Sequence, residues 1–151
     1  MTGLPNGRPA APGAEVLPDR TSHDLEEAPS AQSARASGGV LRIAAVDIGS
    51  NSIRMIVADV SPAGEIRVVD EMKAMPRLGV GVDATGELAP ESMDAALAAL
   101  ARMAELARQM HADRVDAVAT SAVRDAANGG AFLDRVAAET GLRVRLLSGE
   151  E

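Results

Sequence analysis

The amino-acid sequence predicts an α/β domain built on a mixed sheet, with the element order β-β-β-α-β-α-β. Three short apolar segments separated by two tight turns come first, which is typical of an antiparallel meander. Two segments with apolar residues at helical spacing follow, and each leads into another short apolar segment. A strand reached through a helical crossover lies parallel to its neighbour, so the last two strands are expected to be parallel additions to the meander.

The first three strands are separated by turns of small and polar residues. Residues 40–46 form a nearly continuous apolar run, as expected for a buried strand. The turn at residues 49–52 precedes the second strand, residues 53–60. The turn at residues 61–64 has proline early and glycine late, which favours chain reversal. The third strand is therefore predicted at residues 65–72.

The middle of the chain is predicted to be a loop, a long helix and a fourth strand. Residues 73–89 contain three spaced glycines and are interpreted as a loop. Pro90 suits the first helical turn, where its missing N–H has no helical partner. Apolar residues at helical spacing extend this helix to about His111, and residues 114–120 are predicted to be a strand.

The last predicted elements are a helix at residues 131–140 and a strand at residues 142–147, joined by Gly141 as a C-cap. The complete order is that of the ribonuclease-H-like unit, the building block of the actin-like ATPase superfamily. One such unit can be counted in the 151 residues.

The N-terminal 39 residues differ in composition from the rest. They are rich in Pro, Gly, Ala and Ser with isolated apolar residues, so we expect residues 1–39 to be a disordered tail and residues 40–151 to be the folded lobe. No apolar run approaches the roughly 18 residues of a membrane span, and the N-terminus lacks the apolar core of a signal peptide. A cytoplasmic protein without membrane contact is expected.

Acidic residues outnumber basic ones by 22 to 15, which gives a formal net charge of −7. Such a chain does not attract nucleic acid or an anionic membrane through a long-range field. A polyanionic ligand therefore requires a local cationic or dipolar site. The absence of cysteine excludes disulfides and cysteine-zinc sites, and the two isolated histidines do not form a metal site.

The turn after the first strand is the strongest candidate site. Small residues there expose successive backbone N–H groups, which can cradle a phosphate, and a guanidinium follows that matches phosphate geometry. The preceding carboxylate is suited to orienting a water molecule rather than holding an anion. An ordinary polar hairpin has the same composition, so the residues are compatible with phosphate binding without requiring it. The candidate residues are Asp47, Gly49, Ser50, Asn51, Ser52 and Arg54.

Four ordered motifs between residues 40 and 151 resemble the exopolyphosphatase / guanosine pentaphosphate phosphohydrolase (Ppx/GppA) family. The first is AAVDIGSNSIRM at residues 44–55, which contains the turn. The second is RLGVG with GEL, within residues 77–88, and the third is ATSAVRDA with Asn and Phe, within residues 119–132. The fourth is LSGEE at residues 147–151. The first motif alone is not specific, because sugar kinases and actin-like ATPases carry related turns.

The resemblance implies a hydrolase that releases the terminal phosphate of polyphosphate or the 5′ γ-phosphate of guanosine pentaphosphate. It implies Mg²⁺ as cofactor, bound by Asp47 through water, and polyphosphate or guanosine penta/tetraphosphate as ligands. It places residues 47–54 at the first phosphate loop, and Arg124 facing the cleft together with Arg77. Members of the family are often homodimers.

The resemblance also places the catalytic glutamate at the third acid after the glycine of the SGEEEA segment, directly after Glu151. Glu151 itself takes that role only if the alignment shifts by one residue. We therefore expect this chain to be an N-terminal portion that is inactive alone and lacks the C-terminal lobe. Two alternatives remain: a non-catalytic module that binds polyphosphate or a guanosine alarmone, and another kinase or ATPase of the actin-like fold.

Overall fold

The computed structural model describes residues 39–149 of the chain. The predicted disordered tail up to residue 38, and Glu150 and Glu151, lie outside the described residues. The elements in the described part are β1 (Leu41–Ile48), β2 (Ile53–Val60), β3 (Ile66–Ala74), α1 (Val82–Thr85), α2 (Pro90–Gln109), β4 (Arg114–Ala119), α3 (Ser121–Asp125), α4 (Gly129–Thr140) and β5 (Val144–Leu146).

The described strands form one mixed sheet in the order β3-β2-β1-β4-β5. β1, β2 and β3 pair antiparallel, whereas β4 pairs parallel to β1 and β5 pairs parallel to β4. The predicted α/β class and the meander with two parallel additions are thus confirmed. α1, which lies between the left-handed glycines Gly81 and Gly86, and α3 were not predicted, because four and five residues are too few to show helical periodicity.

The predicted bounds of β1, β3, β4 and β5 differ from the observed ones by one or two residues. β1 continues to Ile48, so Asp47 lies inside the paired strand. β3 has an irregular register opposite Val57 and Ala58, and it exposes apolar side chains because it is the edge of the sheet. β5 spans only Val144–Leu146, against the predicted residues 142–147, and it is the other edge strand, which pairs with β4 alone.

One face of the sheet packs against α2 and α4, and the other face is open. Buried and exposed side chains alternate along β1 and β2, so successive residues lie on opposite faces. The open face exposes Ala45, Asp47 and Arg54. None of the helices described is long and apolar enough to cross a membrane. The large side chains that are fully buried are Ile48, Ile53, Met55, Val57, Leu78, Leu88, Leu100, Met103, Val123, Phe132 and Val136.

A charge cluster joins the strands at the end of the sheet opposite the turn. Arg42 on β1 donates from Nε to Asp59 Oδ1 at 2.7 Å and from Nη2 to Oδ2 at 3.0 Å. Arg67 on β3 donates to the same carboxylate at 3.0 Å, and Arg42 also donates to the carbonyl of Met110, after α2. The hydrogen bonds from Arg42 hold the pKa of Asp59 below its ordinary value. Reasoning from the sequence did not identify this cluster.

Candidate phosphate-binding site

The β1–β2 turn at residues 49–52 lies at the carboxyl end of β1. β4 is the parallel neighbour of β1 and ends at the same edge of the sheet, which is where ligands bind in open α/β sheets. Gly49 N–H donates to the carbonyl of Ser52 at 3.0 Å and closes the turn. A Cβ at Gly49 would lie 3.0 Å from that carbonyl oxygen, so glycine permits the close approach.

The loop after β3 holds the turn from one side through its backbone. Gly79 N–H donates to the carbonyl of Ser50 at 2.7 Å, and Arg77 N–H donates to the carbonyl of Asn51 at 3.1 Å. A Cβ at Gly79 would lie 2.9 Å from the Ser50 Cβ. Arg77 adopts a φ of +56°, which places its backbone N–H against the turn. The first two motifs of the resemblance are therefore joined in space.

The carbonyls of the turn are used by this loop, but its amides are not. Within residues 39–149, the backbone N–H groups of Ser50, Asn51 and Ser52 meet no hydrogen-bond acceptor. Successive unpaired N–H groups on a tight turn form the concave donor arrangement that binds anions. This is the feature expected of a phosphate-binding loop.

The junction of β4 and α3 holds the turn from the other side. Thr120 N–H donates to the carbonyl of Ile48 at 3.1 Å, and the hydroxyls of Ser50 and Ser121 lie 3.1 Å apart. Reasoning from the sequence did not single out Ser121, although it stands inside the third motif. A cavity of about 270 Å³ beside this contact is lined by Ser50, Gly79, Val82, Asp83, Ser121, Ala122 and Asp125.

Arg124 lies in α3 and contacts the segment that follows β5. Its Nη1 donates to the carbonyl of Leu147 at 3.4 Å, and a Cβ at Gly149 would lie 3.8 Å from the same nitrogen. Its Nε donates to Asp125 Oδ1 at 2.8 Å, and its Nη2 donates to Asp125 Oδ2 at 3.3 Å. The structure therefore brings Arg124 next to the start of the fourth motif, residues 147–149, which precedes Glu150 and Glu151 in the chain.

Asp47 and Arg54 lie opposite each other in the β1–β2 register, on the open face of the sheet. Both side chains are exposed, so the Asp47 carboxylate has access to solvent, as a role in orienting water requires. Arg54 forms an ion pair with Glu71 at 3.3 Å, and β1 lies between its strand and the β4–α3 unit that carries Arg124. The two candidate phosphate-binding arginines thus lie on elements at either side of β1.

Asn128 joins the third motif to the second. Its Oδ1 accepts from Leu88 N–H at 2.8 Å, and its Nδ2 donates to the Leu88 carbonyl at 3.0 Å. Ala127 N–H donates to the carbonyl of Gly86 at 2.8 Å alongside this pair. Phe132 of the same motif is fully buried in the core. These motif residues stabilise the frame around the turn and do not line it.

The described residues hold no group of three or more His, Cys, Asp or Glu side chains placed to bind a metal ion. A magnesium ion that accompanies phosphate commonly needs only one or two protein carboxylates, since the phosphates supply the remaining oxygens. The exposed carboxylate of Asp47 fits that mode. A larger cavity of about 460 Å³ lies at the other edge of the sheet, lined in part by Ala107, Leu142 and Arg143, and contains no residue of the candidate site.

Comparison with known proteins identifies relatives. A model of the Ppx/GppA phosphatase family matches residues 55–151. Exopolyphosphatase 2 of Mycobacterium tuberculosis is 48% identical over 94 residues, which cover 60% of this chain and 30% of that protein. The guanosine-5'-triphosphate,3'-diphosphate pyrophosphatase of Photobacterium profundum is 36% identical over 109 residues, 72% of this chain and 22% of that protein. The crystal structure of the Aquifex aeolicus Ppx/GppA family member matches with a TM-score of 0.71 and 34% identity, over 74% of this chain and 36% of that one.

The chain therefore spans 22% to 36% of the length of these three relatives. The match to the family model begins at residue 55, so the turn precedes it, whereas the structural match extends over about three quarters of the chain. The structural relatives have the ribonuclease-H-like fold of the actin-like ATPase superfamily, which confirms the predicted fold class. By its sequence and its fold, this chain belongs to the Ppx/GppA phosphatase family.

Proposed function

We propose that this chain forms the first phosphate-binding lobe of a phosphoanhydride hydrolase of the exopolyphosphatase / guanosine pentaphosphate phosphohydrolase type. Its substrates are polyphosphate, from which the terminal phosphate is released, or guanosine pentaphosphate, from which the 5′ γ-phosphate is released. The observation that carries the proposal is the run of unpaired N–H groups at Ser50, Asn51 and Ser52. Membership of the Ppx/GppA phosphatase family favours hydrolysis over the kinase alternative.

The residues of this lobe bind and neutralise the phosphoryl group. Hydrolysis of a phosphoanhydride depends mainly on positioning and on stabilising negative charge. The turn amides donate to phosphoryl oxygens, and Arg54 and Arg124 supply positive charge from either side. Preorganised backbone donors of this kind need no rearrangement when charge develops. The hydrogen bond from Gly79 N–H to the Ser50 carbonyl and the Ser50–Ser121 contact hold the turn in the conformation that binds phosphate.

Asp47 positions water in this proposal. Its exposed carboxylate orients a water molecule beside the bound phosphate or holds a magnesium ion through that water. Magnesium, when bound, supplies positive charge to the phosphoryl oxygens. The general base is a separate carboxylate, which the family resemblance places directly after Glu151. Because the chain spans 22% to 36% of the length of its relatives, we propose that it binds its ligand without releasing phosphate when tested alone, and that it acts in the cytoplasm.

The proposal is tested by calorimetric titration of the chain with polyphosphate of defined length and with guanosine pentaphosphate, both with magnesium. We expect saturable binding, and Arg124→Ala should weaken it about tenfold because charge-assisted hydrogen bonds are lost. Arg124→Lys should recover only part of the loss, since an ammonium cannot reproduce the planar fork.

Arg143→Ala is the matched control for this experiment. Arg143 is an exposed arginine at the other edge of the sheet, next to the larger cavity. Its removal changes the net charge of the chain as much as Arg124→Ala does, but leaves the turn intact. Equal weakening by both variants, or no binding by the unmodified chain, would contradict the proposed site. A colorimetric phosphate assay on the same samples checks that no phosphate is released.

A further inference from the structure

The guanidinium of Arg124 is already occupied by a carboxylate. Asp125, the next residue in α3, accepts from Nε at 2.8 Å and from Nη2 at 3.3 Å, so it uses the two-pronged edge that fits a phosphate. Nη1 is directed to the carbonyl of Leu147. A phosphate that binds Arg124 through its fork must therefore displace Asp125.

The pair is built in a way that allows it to separate. Adjacent positions on a helix do not face each other, so both side chains must bend to meet. The Asp125 side chain is 57% exposed and that of Arg124 is 32% exposed. An ion pair this accessible is weak, because solvent competes for both partners. The Leu147 contact can hold the arginine when the carboxylate leaves.

Asp125 is also distinguished from the other acid at the site. Asp83 and Asp125 line the same cavity, together with the hydroxyls of Ser50 and Ser121. In the part of the chain that the structure describes, Asp83 forms no ion pair with Arg124, and Asp125 does. The two residues therefore separate the effect of a negative charge near the site from the effect of a direct contact with the arginine.

We propose that Asp125 is a specificity-determining competitor at the phosphate site: its carboxylate holds the Arg124 guanidinium and is displaced when a phosphate chain binds. The inference rests on the proposed function, because it assigns Arg124 to phosphate. Asp125 lowers the affinity for every anion that needs the Arg124 fork, and it does so through Arg124 alone. Ligands with several phosphates partly offset this lower affinity through contacts of their other phosphates, whereas a single inorganic phosphate has no such contacts.

The test compares Asp125→Asn with Asp83→Asn by calorimetric titration with polyphosphate and with inorganic phosphate. We expect Asp125→Asn to bind polyphosphate about two- to fivefold more tightly, the range that an exposed ion pair provides. Asp83→Asn should change the affinity less, and Asp125→Glu should restore the lower affinity. Thermal unfolding of each variant checks that the fold is retained.

A double-mutant cycle gives a result that a purely structural role of Asp125 would not produce. In the Arg124→Ala background, Asp125→Asn should leave the affinity unchanged, because the competitor has nothing left to hold. Equal effects of Asp125→Asn with and without Arg124, equal effects of Asp125→Asn and Asp83→Asn, or weaker binding by Asp125→Asn would each overturn the inference while leaving the phosphate site in place. If neither the unmodified chain nor Asp125→Asn binds, the proposed function fails and the inference fails with it.

Discussion

At the scale of single residues, the candidate site is held mainly by backbone groups. The carbonyls of Ser50 and Asn51 are tied to the loop after β3, which leaves the amides of the turn to a ligand. Two side-chain contacts lie near those amides: Ser121 contacts Ser50, and Asp125 contacts Arg124. A substitution is therefore expected to act on binding through the position of the backbone as much as through a lost functional group.

Gly79→Ala tests this dependence on backbone position. The new Cβ would lie 2.9 Å from the Ser50 Cβ, so the turn must move away from the loop. We expect a loss of about 1–3 kcal/mol in the free energy of unfolding, as for other overpacked contacts, and weaker binding of polyphosphate. Chemical denaturation and calorimetric titration measure the two effects. Unchanged affinity in a folded Gly79→Ala variant would show that the loop does not position the turn.

At the scale of elements, short helices and cross-chain contacts connect the sheet edge to the core. α3 and α4 meet where Gly129 lies against the carbonyl of Val123, so close that a Cβ would be 1.9 Å from that oxygen. Asn128, one residue earlier, binds Leu88 through both its amide atoms. The position of Arg124 within α3 therefore depends on contacts that α4 makes elsewhere in the fold.

The paired variants Gly129→Ala and Gly130→Ala test the α3–α4 junction. Gly129→Ala forces apart two backbone segments, and we expect it to cost about 3 kcal/mol or more in stability, as large core clashes do. A Cβ at Gly130 meets nothing within 4 Å, so Gly130→Ala should be neutral or stabilise by up to about 1 kcal/mol through helix propensity. Denaturant titration compares them, and equal stability of the two variants would contradict the junction described.

The Asp59 cluster at the far end of the sheet predicts a dependence of stability on pH. Asp59 has a pKa lowered by hydrogen bonds from Arg42, so the unfolded chain binds its proton more readily than the folded chain does. Such a carboxylate stabilises the fold above its unfolded pKa of about 3.9. The contribution is lost as the pH falls through the lower pKa of the folded state.

Asp59→Asn removes this contribution. We expect its unfolding temperature at pH 7 to be lower by about 5 °C, and its decline below pH 4 to be smaller than that of the unmodified chain. Arg67→Met is the control, because the Arg67 side chain is 77% exposed and Arg42 still binds both carboxylate oxygens. Calorimetric melting across the pH range tests both variants. An Asp59→Asn variant that melts with the same pH profile as the unmodified chain would be inconsistent with the cluster.

At the scale of the whole molecule, the chain carries a net charge of −7, and the basic side chains of the candidate site are paired with acidic ones. Both candidate phosphate-binding arginines contact a carboxylate, Arg54 with Glu71 and Arg124 with Asp125. Under the proposed function, attraction of a polyanion depends on the exchange of one negative partner for another, and not on a long-range positive field. The lobe uses one face of its sheet for the core, and the face that carries Asp47 and Arg54 remains exposed in the described residues.

The sequence by itself determined the α/β class, the order of the strands along the chain and the position of the turn. Those features depend on neighbouring residues: the apolar runs of β1 and β2, Pro90 at the start of α2 and Gly141 after α4 act locally on the backbone. Four motifs in order also identified the family. The roles of Asp47, Arg54, Arg77 and Arg124 toward phosphate and metal stay predictions.

Only the tertiary structure decided how these motifs meet. Ser50 and Ser121 are 71 residues apart in the chain, and Asn128 is 40 residues from Leu88. Ser50 and Ser121 touch because β1 and β4 are parallel neighbours; the crossover pattern predicted a parallel strand but not that it pairs with β1. The same packing brings a carboxylate against Arg124 and removes the space for a side chain at residue 79. Contacts between distant segments depend on the register of the sheet, and for that reason the sequence predicted the position of the candidate turn but not the contacts around it.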